Sequence, residues 1–335
     1  MDFDLSDVQA AWRDKGAALG RDLAADPAAA GAIMGAARVG LLDPAADLLA
    51  VTVATEAMAF ESSAAAAIFG LHTGTALAVA GDDRFTSFFR GEAVAAVGLS
   101  SDDVPVESGG TVSGRAAWVA PITERGVVVV GPRPSASSGR PERVEGRRGE
   151  DRAAYAVSFE APGVSIEPVE TAALQGLVCG HVTFTAARCT PLGATIPIMT
   201  RIRVLMAAAG LGIGRRALRE ALTAARAAHT AAAGEQTVQG LLADAATELD
   251  AAMLMTWKAA AAATPSLADA SLAKLAVTAA AQRAVERATQ VVGADSFQRG
   301  HIIERLAQDV RALELFAGRT EALRAAAAED LLPHR

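Results

Sequence analysis

The sequence has few aromatic residues, few cysteines and no excess of positive charge. Only 4% of its 335 residues are aromatic. Cys179 and Cys189 are the only cysteines, too few for a disulfide scaffold in a chain of this length. The 31 basic residues are outnumbered by 38 acidic ones, and the resulting net charge of −7 repels nucleic acid phosphates. We therefore expect no nucleic-acid partner and a reducing, cytoplasmic location.

Several short motifs that carry catalysis or targeting are also missing. There is no G-x-S-x-G, P-loop or C-x-x-C sequence. His181, His229 and His301 show no H-x-x-x-H or H-x-E spacing, so we predict no metal site. The amino terminus opens with acids instead of a signal peptide, and the apolar stretch 57–80 is interrupted by Glu61 and His72. These features indicate buried helices rather than a membrane span, and no membrane partner.

Alanine dominates the composition, and 51% of the residues are hydrophobic. Because alanine is the strongest helix former, we predict a mainly α-helical protein whose helices approach closely. Helical patterns fill residues 1–93 and 195–335, whereas residues 94–194 contain short β-branched runs separated by glycine, proline and serine. The chain therefore divides into an N-terminal helical domain, a central β domain (a small barrel or sandwich) and a C-terminal helical domain.

The C-terminal domain is predicted to be a four-helix bundle. Apolar residues recur every three to four positions, which indicates long helices packed against one another. The glycine-rich run 210–214 lies inside the first of these helices, where small residues serve packing. The predicted helices are Ile198–Ala228, Gln236–Ala262, Leu272–Val292 and Ile302–Leu332.

The stretch 290–324 resembles the C-terminal signature of the acyl-CoA dehydrogenase family. That signature reads Q-x-x-G-G-x-G-[YF], then E-R-x-x-R-D-x-[RK], then [YF]-E-G-T-x-E-[IL]-x-R. The matching positions are Gln290, Gly293, Phe297, Glu304, Arg305, Asp309, Arg311, Phe316, Gly318, Glu321 and Arg324. The resemblance implies the family fold of N-terminal helical domain, middle β-barrel and C-terminal four-helix bundle. It also implies an acyl-CoA substrate, FAD, and a homodimer or homotetramer.

The resemblance further shows that the family's catalytic base is replaced. In this family a carboxylate takes the α-proton of an acyl thioester while FAD accepts the β-hydride. That glutamate corresponds here to Ala317, and its alternative family position corresponds to Ile202. Arg201 and Arg203 flank Ile202; they either favour an anionic substrate or a developing oxyanion, or are solvated or paired with acids at the helix start. We assign Ala317, Ile202 and Arg201 to the substrate pocket and Arg203 to catalysis.

Four acids are candidates for a relocated base. Glu314 and Glu321 lie three residues before and four after Ala317, so on a continuing helix they share its face. Glu321 also matches a family position that is not catalytic, which gives it a structural alternative. Glu56 and Glu61 in the N-terminal helices are further candidates, with a paired core role as the alternative.

The cofactor motifs of the family are present in altered form. The W-I-T motif beside the flavin becomes Trp118-Val119-Ala120, and R-x-x-F-G becomes 226–230 with the arginine kept. The G-G-x-G loop becomes 293–296, where Ala294, Asp295 and Ser296 would crowd or repel a dinucleotide. The residues assigned to FAD by this resemblance are Ser100, Trp118, Arg226, Gln290, Gly293 and Arg319. Both bound FAD and loss of FAD remain open.

Three functions fit these substitutions. The first is a repurposed enzyme that binds an acyl thioester or polyketide-like substrate and performs non-redox cyclisation or elimination. The second is an FAD-dependent acyl-CoA dehydrogenase whose base has moved. The third is a non-catalytic subunit that joins an intact dehydrogenase in a heteromer and lends Arg226 to the partner's cofactor.

Overall fold

The computed structural model describes residues 4–98, 105–131, 133–134, 153–227 and 235–332. Its N-terminal part consists of helices α1 (Asp7–Asp22), α2 (Ala29–Arg38), α3 (Leu48–Glu61), α4 (Ser63–Ala78) and α5 (Thr86–Phe89), with a 3₁₀ turn at Asp83–Phe85. Helix α1 begins with a capping box in which Ser6 and Gln9 exchange side-chain to backbone hydrogen bonds. The sequence prediction of a capped start is therefore confirmed.

The apolar segment after residue 45 forms two helices separated by Ser62. This residue has extended backbone angles, and its hydroxyl accepts a hydrogen bond from the amide of Ala65. Every residue of α4 from Ser63 to Ala76 is buried. Helix α4 is therefore enclosed on all sides, as expected for a helix that is apolar around its whole circumference.

After the N-terminal helices, nine strands within the described residues form one sheet. One path of neighbouring strands runs β5-β2-β3-β1-β4-β6-β9, and β8 pairs with both β3 and β7. Because β3 pairs with three strands, the sheet folds around a second core that contains Val112, Val119, Val128, Val182 and Phe184. The strands are β1 (Val94–Gly98), β2 (Val106–Ser108), β3 (Thr111–Ala120), β4 (Gly126–Val130), β5 (Arg133–Pro134), β6 (Ala153–Ser158), β7 (Val164–Val169), β8 (Cys179–Arg188) and β9 (Thr190–Ala194).

The C-terminal part is helical again. It consists of α6 (Thr195–Ala227), α7 (Gln236–Ala261), α8 (Leu267–Val292), a 3₁₀ turn at Gly293–Phe297, α9 (Ile302–Leu315) and α10 (Thr320–Leu331). Helix α6 is long and apolar enough to cross a membrane, and 78% of its most apolar window is buried within the protein. The predicted single helix over 302–332 is wrong, because α9 ends where Phe316 adopts an extended backbone, and the left-handed angles of Ala317 and Gly318 follow.

Helix α3 is held by direct backbone contact on two sides. A Cβ atom added to Gly16 of α1 would lie 2.3 Å from the carbonyl oxygen of Ala54. A Cβ atom on Gly212 of α6 would lie 2.3 Å from the carbonyl oxygen of Glu56. Both positions therefore require glycine, and the N-terminal helices sit against the bundle at backbone distance.

Two buried polar side chains connect the three parts. His72 in α4 donates from Nε2 to the carbonyl oxygen of Phe88 at 3.1 Å, and its Nδ1 accepts from the amide of Ala95 in β1 at 3.0 Å. Burial lowers the pKa of His72 to about 4, so the imidazole is neutral at physiological pH, in agreement with these two bonds. In α9, the carboxylate of Asp309 accepts from the amide of Leu174 at 2.6 Å and ties the bundle to the β domain.

Candidate functional site

The turn between α9 and α10 contains the position where the family places its base. Helix α9 ends at Leu315, and α10 begins at Thr320. Between them Ala317 has a φ of 58° and Gly318 a φ of 116°. The turn folds inward, since Ala317 is only 1% exposed. The methyl group of Ala317 supplies no acid or base.

Two buried cations bind the backbone carbonyls of this turn. Arg203 in α6 donates from Nε to the carbonyl oxygen of Ala317 at 3.0 Å and from Nη1 to the hydroxyl of Ser271 at 2.9 Å. Lys274 in α8 donates from Nζ to the carbonyl oxygens of Glu314 and Gly318, each at 3.0 Å. Arg203 and Lys274 are each 1% exposed. Their charges are therefore satisfied by carbonyl oxygens that the left-handed turn directs inward.

The pKa of Lys274 is strongly shifted by this environment. Burial is the main cause, and the positive charge of Arg203 adds to it, so that the pKa of Lys274 falls to about 7. The negative charge of Glu314 opposes the shift. Lys274 was not among the residues predicted from the sequence, although it lies on the apolar face of its helix, four residues after Ala270 and three before Val277, both buried. A lysine at such a position signals a buried charge with a specific partner.

The two acids predicted as relocated bases lie in different surroundings. The carboxylate of Glu314 accepts from Nε2 of Gln282 and from the hydroxyl of Thr320, both at 2.9 Å. Glu321 is exposed in the first turn of α10. The expectation that both share the helix face of Ala317 is wrong, because the helix does not continue through that residue. Their assignment as bases stays a prediction.

The residues assigned to the substrate pocket pack tightly. Ile202 is fully buried, and a Cβ atom on Gly74 of α4 would lie 2.8 Å from its Cγ1. Arg201 is half-buried, and its Nη1 donates to the carbonyl oxygen of Pro197 at 3.0 Å. Burial also lowers the pKa of Arg201. Arg203, assigned to catalysis, lies behind the turn as described, where it positions Ala317 and does not reach solvent.

The flavin-assigned tryptophan is directed outward by an irregularity of the sheet. The pairing of β3 with β8 shifts register between Ala116 and Val119, and Trp118 there has a φ of 54°. Trp118 is 45% exposed, and its ring meets the ring of His181 edge-on, with a centroid distance of 5.6 Å. A bulky residue in left-handed backbone is unusual, and bulges of this kind often direct side chains next to binding sites.

The remaining cofactor-assigned residues lie at helix ends and surfaces. Gln290 is exposed at the end of α8, and Gly293 follows that helix with a φ of 76°. Arg226 is exposed near the end of α6, and Arg319 is exposed immediately before α10. Ser100 lies outside the described residues.

These residues fit FAD in part. The open ring of Trp118 suits a flat isoalloxazine, and the exposed guanidinium groups of Arg226 and Arg319 suit phosphate. A Cβ atom on Gly293 would meet nothing within 4 Å, so the backbone there is accessible. Asp295, exposed two residues further on, places a negative charge in the same turn. Across the described ranges, no group of three or more His, Cys, Asp or Glu side chains is arranged to hold a metal.

The helix, sheet and bundle arrangement defines an acyl-CoA dehydrogenase fold. Residues 194–332 match the family model described as "Acyl-CoA dehydrogenase, C-terminal domain". The whole chain is similar to butyryl-CoA dehydrogenase from Megasphaera elsdenii, with a TM-score of 0.81 and 17% identity over 99% of this chain and 100% of that one. Residues 194–332 therefore belong to the C-terminal domain of the acyl-CoA dehydrogenase family, and the family recognised in the sequence and its predicted fold are both confirmed.

Two curated relatives match at the sequence level. Over 194 residues the chain is 31% identical to 3-sulfinopropanoyl-CoA desulfinase of Paraburkholderia xenovorans (strain LB400), which covers 52% of this chain and 50% of that protein. Over 136 residues it is 35% identical to the mitochondrial short-chain specific acyl-CoA dehydrogenase of Bos taurus, which covers 39% of this chain and 33% of that protein. The chain thus matches half of the first relative's length and a third of the second's.

Proposed function

We propose that the protein binds an acyl thioester or polyketide-like substrate in the family pocket and performs non-redox chemistry such as elimination or cyclisation. The observation that carries this proposal is the turn at Ala317. In place of a carboxylate it presents a methyl group, and two buried cations hold its carbonyl oxygens. Such a site lacks the base that starts α,β-dehydrogenation.

The two cations also favour particular chemistry. Arg203 and Lys274 are too deeply buried to contact a substrate, so they act by fixing the turn and by their positive field. The permanent positive charge of Arg203 in a water-poor site stabilises negative charge that develops on the thioester oxygen or on a leaving group. The relative named as a desulfinase supports non-redox chemistry on an acyl thioester, because its name describes removal of a sulfino group from a CoA thioester.

The proposed function is compatible with bound FAD. Trp118, Arg226, Gln290 and Arg319 would hold it, and when bound it would supply a hydride acceptor. The residues of this chain then orient the acyl thioester beside the ring of Trp118. The proposed non-redox step uses no hydride transfer, so turnover should not reduce the flavin.

A direct test compares two thioesters on the purified protein. With 3-sulfinopropanoyl-CoA we expect hydrolytic cleavage of the C–S bond, in which water gives a proton to the carbon and a hydroxyl group to the sulfur, so that propanoyl-CoA and sulfite form. With butyryl-CoA we expect no reduction of an artificial electron acceptor, with or without added FAD. Acceptor reduction by the unaltered protein would contradict the proposal. If that reduction were lost in Glu314→Gln or Glu321→Gln, a relocated base would be identified instead. Failure to bind either thioester would also contradict it and favour a non-catalytic subunit.

We also infer a homodimer or homotetramer formed through the bundle. Phe297 is 77% exposed and Leu315 is 58% exposed, and they lie near opposite ends of α9. The inference rests on the resemblance to a family whose members associate through this bundle, and these two side chains are candidate contacts with a partner. Light scattering of the purified protein and of Phe297→Asp tests this, and a monomeric unaltered protein would contradict it.

A further inference from the structure

A cleft of about 330 Å³ lies between α1, α3, α6 and α7. Glu56 and Glu61, named above as candidate bases, line it, but no residue assigned to cofactor or substrate does. Gly212, which does line it, is nine residues after Arg203 on α6, about 14 Å along the helix axis. The cleft is therefore separate from the turn at Ala317.

The walls of the cleft are held in place by backbone contacts. Helix α3 supplies Val53, Ala57 and Phe60, and α7 supplies Trp257. Because Gly16 and Gly212 bring α1 and α6 to backbone distance from α3, the spacing of three walls is set by main-chain atoms. Small-molecule sites are commonly formed in advance in this way, as concave spaces lined by aromatic and aliphatic side chains.

The charged groups at the cleft neutralise one another. Arg215 donates from Nε to Glu56 at 2.7 Å and from Nη2 to Asp250 at 3.1 Å. The other ion pairs at the rim are Arg13–Asp14, Arg21–Glu61 and Arg216–Glu61. Each charged lining residue thus has a partner, and an ionic ligand would have to break one of these pairs. The cleft therefore favours an uncharged occupant.

One polar atom of the lining remains without a partner. The indole Nε1 of Trp257 is buried, and no acceptor contacts it among the residues that the structure describes. An indole nitrogen can only donate, so the missing partner must be an acceptor. A buried donor without an acceptor is costly. Because Nε1 has no surface open to the cleft, the indole of Trp257 must turn towards it before the oxygen of an occupant can accept this bond and remove the cost.

We propose that this cleft is a binding site for a small uncharged molecule with an apolar body and one hydrogen-bond acceptor, such as a ketone, ester or amide. The apolar body packs between Phe60 and the indole of Trp257. Its oxygen accepts the hydrogen bond from Nε1 of Trp257. This site is independent of the acyl-thioester chemistry proposed above, so either proposal can fail without the other.

The test uses ¹⁹F NMR of the full chain labelled with 5-fluorotryptophan, which reports on three tryptophans, Trp12, Trp118 and Trp257. The probe is 4-phenyl-2-butanone, and the comparison compound is butylbenzene, which has the same apolar body and no acceptor. We expect the ketone to shift the resonance that disappears in Trp257→Phe. We expect that variant to bind the ketone about tenfold more weakly, because one hydrogen bond is lost. Equal binding of butylbenzene, or unchanged binding in Trp257→Phe, would overturn the proposal.

A second pair of variants keeps the test decisive if Trp257→Phe does not fold. Ala57→Leu fills the cleft from α3 and should abolish binding of the ketone. Ala251→Leu adds the same side chain to the exposed face of α7 and should leave binding unchanged. A ketone-induced shift that survives in Ala57→Leu, or one confined to Trp118, refutes the site.

Discussion

Arg203 and Ala317, 114 positions apart in the chain, are joined by a 3.0 Å hydrogen bond from the guanidinium Nε to the carbonyl oxygen. The bond places a permanent positive charge behind the position where related proteins carry a catalytic carboxylate. The carbonyl oxygen of Ala317 accepts the hydrogen bond that a side-chain carboxylate would otherwise accept from Arg203. This arrangement explains how a turn without its acid keeps a buried arginine satisfied.

The first prediction concerns this bond. Arg203→Lys should lower the free energy of unfolding by about 2–3 kcal/mol, because the ammonium cannot reach both Ala317 and Ser271. Urea denaturation measures the change. Arg201→Lys is the matched control, since Arg201 has one backbone partner and is half-buried, and it should cost less than about 1 kcal/mol. Equal losses in the two variants would show that the bond contributes little.

The second prediction is a pH dependence that originates at Lys274. The folded protein holds the pKa of Lys274 at about 7, below its ordinary value of 10.5. Between these values the unfolded chain binds a proton that the folded protein does not bind. Stability should therefore rise with pH above about 7, by at most about 1.4 kcal/mol per pH unit from this group.

Denaturation curves between pH 7 and 9 provide the measurement. Lys274→Met should remove this contribution, so the difference in stability between the two proteins should change with pH. Lys258→Met is the control, because the side chain of Lys258 is 74% exposed, and it should keep the slope of the unaltered protein. A parallel pH course for Lys274→Met would contradict the assignment.

The third prediction concerns the left-handed residues of the turn. Ala317→Gly should stabilise the protein by about 1 kcal/mol, because glycine adopts a φ of 58° without a Cβ penalty. Gly318→Ala should destabilise it by about 1–3 kcal/mol, since its φ is 116° and its Cβ would lie 3.2 Å from Nη2 of Arg203. Thermal unfolding tests both, and shifts of the same sign would contradict the turn geometry.

The fourth prediction compares two helical glycines. Gly212→Ala should destabilise the protein by at least about 2 kcal/mol, because the new methyl group would press on the carbonyl oxygen of Glu56. Gly240→Ala in α7 meets nothing within 4 Å and should stabilise by up to about 1 kcal/mol. Differential scanning calorimetry should show melting temperatures that move in opposite directions. A tolerated Gly212→Ala would mean that α3 and α6 can separate easily.

The sequence predicts the helical parts well, because they depend on local patterns. The capped start at Ser6 and the helix through 210–214 follow from capping chemistry and apolar spacing, and both are present. The break at Ala317 could not be read in the same way. Alanine favours helix, and its left-handed conformation is held by tertiary bonds from Arg203 and Lys274.

The candidate site was predicted less completely for the same reason. Trp118 was located through the resemblance, but its outward direction depends on a register shift between β3 and β8 that no local pattern reveals. Glu314 and Ala317 were predicted to share one face of a continuing helix, but the helix ends between them. The hydrogen bonds from Lys274 to the turn join two helices of the bundle, so they can be identified only when the packing of those helices is known.

The backbone contacts that Gly16 and Gly212 allow with α3 also affect how many substitutions the sequence can accept without a change of fold. Where two helices touch through main-chain atoms, their separation does not depend on side-chain volume. Substitutions elsewhere on α1, α3 and α6 can then accumulate without shifting the N-terminal helices on the bundle. This gives a physical reason why the overall shape agrees with a chain that shares only 17% of its residues.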